Sequence, residues 1–383
     1  MAHSSRETAA LILTCWLQTK EFPTKLLPED ASRAFVQDLV YTTIRRLRPL
    51  RLILGELVKK WPKGEMEAHL YLGAAQILYM DDVPDFAAVS ETVNAAKACE
   101  NPSIAKVVNG VLRNLIRRRG EFEKLIRSSA LEVRESFPSI LVRRWKARFG
   151  EEKTAALCMY HNMPAETFLA YADRFEKLPR AKRVQDVAGY EEGAFIVQDP
   201  ATGLAVEAMD VKAGEKVLDA CAAPGGKAIQ LAWRGADVTA CEVSRARRAK
   251  LIENLKRTRL ADKVEVVESL VGLRGTFAAV LVDAPCSNTG VLRRRPDARW
   301  NWTEEKLAEL VRLQAEILDK AATVVAPGGR LIYSTCSNEP EENEQQVAAF
   351  LARNKEFELV ATRESLPFET GFDGAFAATL KKK

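Results

Sequence analysis

The chain has 383 residues, 47% of them apolar and 28% charged; this is too long for one ordinary core and points to a globular protein of two or three domains. No apolar run is long enough to cross a bilayer, and the opening MAHSSRETAA has neither the basic flank nor the apolar stretch of a secretory leader, so the expected setting is cytoplasmic. Seven scattered cysteines without a CxxC pair, and three histidines (His3, His69 and His161), argue against a disulfide framework, a zinc site or a histidine-based triad.

The net charge of +5 is modest, but the basic residues gather in four runs: RRLRPLR (45–51), RNLIRRR (113–119), RRWKAR (143–148) and RRRPDAR (293–299). A single run usually marks a solvated face, while four in one chain point toward a polyanionic partner.

Residues 5 to 130 read as helices. Val36, Val40, Thr43, Ile44 and Leu47 fall on one helical face with basic residues opposite. Ala68, Leu72, Ala75 and Tyr79 repeat the spacing, as do Ile104, Val107, Val108, Val111, Leu112 and Leu115, with Ser103 as the expected N-cap and Gly120 as the expected stop. Several such helices predict a bundle. Residues 131–210 are less regular: FPSILVRRWKARFG predicts a short helix and ETFLAYADRF a strand, giving a small α+β segment.

From about residue 211 strands alternate with helices. KVLDACA (216–222), DVTACEV (237–243), KVEVV (263–267), FAAVLVDAP (277–285) and GGRLIYSTC (328–336) are the predicted strands. Such alternation predicts a mostly parallel sheet covered by helices on both faces, with ligands at the carboxyl ends of its strands.

VLDACAAPGGKAIQLA is a strand, a turn of small residues and a helix, which lets a ligand approach the backbone and meet the helix N-terminus. It is not the GxGxxG phosphate fingerprint, and Asp219 would repel a pyrophosphate. Glu242, about twenty residues on, stands where an acid receives ribose hydroxyls. An acid-lined turn followed by a ribose acid suits S-adenosyl-L-methionine, a sulfonium with an amino group, better than NAD.

Cys286 and Cys336 close the last two predicted strands, each followed by Ser-Asn. Most free cysteines are buried apolar residues, but Pro285, Ser287, Thr335 and Ser337 place these two in loops at the ligand edge. A thiolate is the natural nucleophile for an electron-poor carbon. Added to carbon 6 of cytosine, it makes carbon 5 nucleophilic enough to take a methyl group. Asp283 and Lys227 at the same edge are candidates to hold the base and stabilise the charge that develops.

LDACAAPGGK (218–227), VDAPCSNTGVLRRRPDARW (282–300) and YSTCSNEPEEN (333–343) together resemble the RNA cytosine-5 methyltransferases of the bacterial RsmB/Sun type. QDPATGLA (198–205) and DGAFAATLKK (373–382) are similar as well, and ETVNAAK (91–97) and VVNGVLR (107–113) resemble the NusB-like domain of that family. The resemblance implies Cys336 as nucleophile, Cys286 as the cysteine that assists product release, and Asp283 next to both cofactor and base. It implies a cofactor loop of Cys221, Ala222, Ala223, Pro224, Gly225, Gly226 and Lys227, with Glu242 on the ribose. The sequence departs from the family pattern in three places. Glu242 stands where Asp is usual, VVESLVG offers only Glu268 or Ser269 for the acid after the third strand, and LAYADRF (169–175) replaces an Arg-Val-Asn stretch.

The expected fold is multidomain: an all-α NusB-like N-terminal bundle (1–130) that binds RNA, a small α+β segment (131–210), and a C-terminal α/β Rossmann-like methyltransferase domain (211–383). The expected activity is methyl transfer from S-adenosyl-L-methionine to carbon 5 of a cytosine in ribosomal RNA, 16S rRNA by the resemblance, with RNA or a pre-ribosomal particle as partner. No metal and no membrane are expected, and the chain is expected to act as a monomer. Base amino-group methylation would want an Asp/Asn-Pro-Pro-Tyr loop where DAPC stands. The rival from another class is a non-catalytic RNA-binding or antitermination-type factor with a degenerate methyltransferase domain.

Overall fold

A computed structural model describes residues 3–21, 23–99, 103–179, 182–273 and 275–383. The chain divides into two compact units: Met1–Asn162 with Arg295–Asn301, and Met163–Arg294 with Trp302–Lys383.

The first unit is helical. Its helices are α1 (Ser5–Thr19), α2 (Arg33–Arg45), α3 (Leu47–Leu57), α4 (Glu65–Tyr79), α5 (Asp85–Lys97), α6 (Ser103–Arg117), α7 (Arg119–Ser128), α8 (Leu131–Arg134), α9 (Ser139–Phe149) and α10 (Glu151–Asn162). Helix α1 starts on a capping box, with the Ser4 hydroxyl accepting from the Glu7 amide and the Glu7 carboxylate from the Ser4 amide. Leu13, Trp16, Val36, Val40, Ile44, Ala68, Leu72, Ala75, Val108, Leu112 and Leu115 form the core, so the apolar stripes read from the sequence do face inward. Val107, expected on that stripe, is exposed instead.

Two expectations fail here. Gly120 does not stop a helix: α6 ends at Arg117 and α7 starts two residues later, so Gly120 lies inside α7, whose Phe122 is fully buried. Nor are all the basic residues of α2 on the solvent side. Arg45 is buried, and burial lowers its pKa to about 10, with the Arg46 charge adding to the effect.

The run RRRPDAR supplies a second buried cation. Arg299 is completely enclosed, its Nη1 donating to the Ser136 carbonyl at 3.1 Å and to Asn162 Oδ1 at 3.0 Å, its Nη2 to the His161 carbonyl at 3.3 Å. The guanidinium lies 3.9 Å from the Phe137 ring centroid. Trp300 donates to the Ile44 carbonyl at 2.9 Å, and Asn301 to the Lys20 carbonyl at 2.9 Å. This stretch, where a solvated face is the usual expectation for a basic run, is instead an internal strut.

The second unit holds two sheets. Strands β1 (Phe168–Ala170), β2 (Phe175–Lys177) and β3 (Ile196–Val197) form a small antiparallel sheet in the order β2-β1-β3. The large sheet comprises β4 (Lys216–Asp219), β5 (Asp237–Cys241), β6 (Val264–Val267), β7 (Phe277–Asp283), β8 (Val325–Thr335), β9 (Phe357–Ser365) and β10 (Ala375–Lys382). Its order is β6-β5-β4-β7-β8-β10-β9, parallel through β8, with β10 antiparallel to both neighbours. Helices α11 (Gly203–Met209), α12 (Gly226–Trp233) and α13 (Arg245–Arg257) follow β3, β4 and β5, and a helix spanning Glu304–Ala322 precedes β8. Two apolar layers, one around Ile229 and Leu251 and the other around Leu318 and Tyr333, sandwich the sheet, as a doubly covered parallel sheet requires.

Arg294 ties the motifs of this unit together. It donates to Asp199 Oδ2 at 2.7 Å, to Asp373 Oδ2 at 2.5 Å and to the Glu166 carbonyl at 2.8 Å. QDPATGLA, RRRPDAR and DGAFAATLKK thus meet on one guanidinium, which explains why three separated stretches belong to one pattern.

Candidate active site

Chain order in the sheet brings the carboxyl ends of β4, β7 and β8 side by side. Cys286 lies three residues beyond β7 and Cys336 directly follows β8. Their sulfur atoms are 3.2 Å apart. Cys286 is buried and Cys336 half-buried. The hydrogen bond with Cys336 and burial both push the Cys286 thiol well above its ordinary pKa, so it holds its proton at neutral pH. The Cys336 thiol also donates to Asn288 Oδ1 at 3.4 Å.

Lys227 Nζ donates to Asp283 Oδ2 at 2.6 Å, and the Ser334 hydroxyl to Asp283 Oδ1 at 2.6 Å. Burial opposes the Lys227 charge, but Asp283 outweighs it and the pKa is raised, so the ammonium is permanent. The structure therefore joins all four expected catalytic side chains at one edge.

Beneath them, a side chain that the sequence reading passed over organises the loops. Glu342 is fully buried, and its carboxylate accepts from the Ser287 amide at 2.9 Å, the Ser287 hydroxyl at 2.5 Å, Gln314 Nε2 at 3.0 Å and the Ser337 hydroxyl. Ser287 follows one cysteine and Ser337 the other, so the repeated Cys-Ser-Asn is a device for anchoring both loops to one carboxylate. The Ser-Asn repeat was the available signal, but it drew attention only to its cysteines. Gly290 closes the same corner. A Cβ there would stand 2.7 Å from the carbonyl oxygens of Cys336 and Gly374.

The cofactor loop starts where β4 ends. The Ala222 amide donates to the Cys241 carbonyl at 2.9 Å, which holds the turn beside the end of β5. Cys221 donates its amide to Asp219 Oδ1 at 3.3 Å; its thiol is pushed up by burial and by Asp219. Ala223 and Pro224 lead to Gly225, which has φ +113° and where a Cβ would meet Leu251 at 2.9 Å. Only glycine suits that backbone. Gly226 opens α12.

Glu242 directly follows β5 and is almost fully buried; its carboxylate accepts from the Ser244 amide at 2.8 Å and lies 3.3 Å from Arg247. Of the two substitutes after β6, Glu268 is exposed and bound by Arg248 at 2.7 Å, while Ser269 caps the turn by accepting from Val271. Arg248 also donates to the Glu242 carbonyl at 2.8 Å, linking Glu268 to Glu242.

A test of fit to a cationic nucleoside comes from Asp219. It is 1% exposed and its Oδ2 has no hydrogen-bond partner among the described residues. An orphaned buried carboxylate oxygen calls for a cationic donor, and the adjacent glycines leave room for one. S-adenosyl-L-methionine fits this set, with Asp219 for its cationic end and Glu242 for its ribose.

The same isolation predicts a pH effect. Burial, with the Asp283 charge added, raises the Asp219 pKa to about 7 against an ordinary 3.8. Between those values the folded chain holds a proton that the unfolded chain has lost, so stability falls as pH rises through the window, at up to roughly 1.4 kcal/mol per pH unit. Asp219→Asn is uncharged and nearly isosteric. Without cofactor, the melting temperature of the wild type is expected to drop several degrees more between about pH 5 and pH 8 than that of the variant. Parallel curves in differential scanning calorimetry would contradict this.

Among the described residues no group of His, Cys, Asp and Glu is arranged to hold a metal ion, and no helix is long and apolar enough to cross a membrane.

Comparison with known proteins accounts for both units. The profile of the 16S rRNA methyltransferase RsmB/F family matches residues 206–380, and that of the NusB family residues 3–117. The ribosomal RNA small subunit methyltransferase B of Yersinia enterocolitica is 33% identical over 92% of this chain and 91% of its own. The Yersinia pseudotuberculosis protein of the same name is 30% identical over 100% of this chain and 99% of its own. Among solved structures, PH0851 superimposes with a TM-score of 0.78 over the whole of both chains at 23% identity, which speaks for the fold alone. With full-length identity of this order, and both domain profiles in sequence, the chain belongs to the RsmB/F family of 16S rRNA methyltransferases.

Proposed function

We propose that this chain methylates carbon 5 of a cytosine in small-subunit ribosomal RNA through a covalent bond between Cys336 and carbon 6 of the base. The observation that carries this reading is the pair of sulfur atoms 3.2 Å apart beside the cofactor loop. Methylation of an amino group needs no thiol at all. We retain for the parts of the chain an RNA-binding role for 1–130, an RNA-positioning role for 131–210 and the chemistry in 211–383.

S-adenosyl-L-methionine, when bound, supplies an electrophilic methyl group. Cys336, a thiol at rest, gives its proton to solvent and adds to carbon 6 as the thiolate, and the electron pair of the 5,6 double bond moves to carbon 5 and into the ring. Lys227, its charge secured by Asp283, faces the oxygen on which that charge gathers, and Asp283 holds the nitrogen edge of the base. Carbon 5 takes the methyl group and must then lose its proton. Cys286 rests as the thiol, so it first gives its own proton to solvent; as a thiolate, its raised proton affinity then makes it a strong base for the carbon 5 proton. The double bond re-forms as the bond from carbon 6 to Cys336 breaks, and its electron pair returns to sulfur.

The test is a trap. Cys286→Ala incubated with unmethylated small-subunit rRNA and cofactor is expected to accumulate a protein–RNA adduct that survives denaturing electrophoresis. The adduct should vanish in the Cys286→Ala, Cys336→Ala double variant. Wild-type turnover by Cys336→Ala alone would overturn the reading and favour a different methylation chemistry.

A further inference from the structure

The four basic runs of the sequence have different fates in the structure. In RRRPDAR, Arg294 and Arg295 pair with aspartates and Arg299 is enclosed. In RNLIRRR, Arg118 pairs with Glu121 and Arg119 with Asp85. In RRWKAR, Lys146 pairs with Glu151 at 2.9 Å. Arg113 of the second run lines a groove between α5 and α6 without a carboxylate partner among the described residues. In RRLRPLR, where Arg45 is buried and Arg46 pairs with Glu135, Arg48 and Arg51 on α3 line an open cleft that also holds indoles.

The cleft consists of two adjoining cavities of about 330 and 390 Å³ that share Arg51 and Glu67. Lys20, from the end of α1, lines the first and Lys63, from the loop before α4, the second. Four cations thus face one carboxylate, and Glu67 is already engaged by the Trp61 indole N–H at 2.9 Å. None of Lys20, Arg51 and Lys63 makes a salt bridge among the described residues. Two of them stack on indoles instead. The Arg51 guanidinium lies 4.5 Å from the Trp61 ring centroid, and Lys20 Nζ lies 4.2 Å from that of Trp16. Trp300 closes one end of the cleft.

Trp16 is fully buried, but Trp61 and Trp300 are half-exposed in the lining, and cations without a carboxylate partner beside such indoles suit a polyanion whose planar groups are free to stack. A duplex keeps its bases inside and offers only backbone to such a surface, whereas a single strand offers phosphates and bases together. We infer that this cleft binds an unpaired segment of the RNA substrate, with phosphates on Lys20, Arg51 and Lys63 and a base against Trp61. The inference rests on the reading that RNA is the substrate, and gives that RNA a specific seat on the helical unit. Arg48 shapes the wall, because its guanidinium is held by the Phe137 carbonyl at 2.6 Å and the Ser139 hydroxyl at 3.0 Å.

The test is equilibrium binding by the full chain, read as fluorescence anisotropy of a labelled oligouridylate and of the same strand annealed to oligoadenylate. Arg51→Gln with Lys63→Gln is expected to weaken single-strand binding by at least about tenfold and to reduce the slope of log K against log salt by about 1.4, two phosphates released from a single strand. Trp61→Leu is expected to cost about five- to hundredfold on the single strand while leaving the duplex nearly unchanged. Unchanged affinity and slope in the charge variant, or equal losses on single strand and duplex, would overturn the inference. Loss that follows Lys97→Gln and Arg113→Gln, on the separate groove between α5 and α6, would overturn it too. Binding needs no chemistry, so the adduct trap can fail while the cleft holds. Equally, the cleft can fail while the adduct still forms.

Discussion

Cys336→Ser is expected to lower the turnover number by at least about four orders of magnitude, some 5.5 kcal/mol of transition-state stabilisation, while leaving the affinities for RNA and cofactor where they were. Serine has nearly the same size and can still donate to Asn288, so the loops should stand unchanged. The chemistry does not survive, because an ionised sulfur attacks carbon 6 unaided whereas a hydroxyl needs a base to take its proton. The three histidines of the chain, His3, His69 and His161, all belong to the helical unit. Beside Cys336 Sγ lie the Cys286 sulfur, which holds its own proton at rest, and the neutral amide oxygen Asn288 Oδ1, so neither takes a proton from a serine hydroxyl there. Single-turnover measurement with saturating RNA and cofactor checks this. A loss confined to KM would mean that position 336 only binds the base, and the covalent reading would fall.

What could be read from the sequence was whatever repeats at short range. The apolar stripes of α2, α4 and α6, the strand–turn–helix around Gly225 and the loops at the ends of β7 and β8 each follow from neighbours within a few residues. Their burial or position in the structure follows accordingly. The failures share a different cause. Gly120 read as a helix stop because glycine usually is one, yet the burial of Phe122 two residues on keeps the next helix going. Arg299 looked like a surface cation until Ser136, His161 and Asn162, more than a hundred residues earlier in the chain, supplied its acceptors. Glu342 sat in a quoted motif, but its partners Ser287 and Gln314 are distant in sequence and its role cannot be read from spacing. Charged residues are the hardest to place, since burial reverses their meaning and burial depends on long-range contacts.

Glu342→Gln is the most demanding test of how the two thiols are held. Four donors converge on this carboxylate: the Ser287 amide and Gln314 Nε2 on Oε1, and the hydroxyls of Ser287 and Ser337 on Oε2. A glutamine keeps the shape but has one acceptor oxygen, so in either orientation its amide group faces two donors. Turned toward the serines, the amide lets their hydroxyls rotate to accept, but both then give up the bonds that aim Cys286 and Cys336 at each other. Turned the other way, it leaves the Ser287 amide and Gln314 unsatisfied, a cost on the order of 1–3 kcal/mol for each buried donor. Glu342 touches neither base nor cofactor and acts only as a positioning residue, so the expected signature is specific. Turnover should fall about a hundredfold for an error of roughly 1 Å in the reacting atoms, with KM for RNA within about twofold. The adduct trapped in the Cys286→Ala background should form slowly but still reach completion. Glu342→Asp keeps both acceptor oxygens and should recover part of the rate at an equal or lower melting temperature, which separates placement of the thiols from stability of the fold. If rate and melting temperature fall together across Gln and Asp, and the adduct forms at the unaltered rate in the molecules that remain folded, Glu342 stabilises the loops without aiming them.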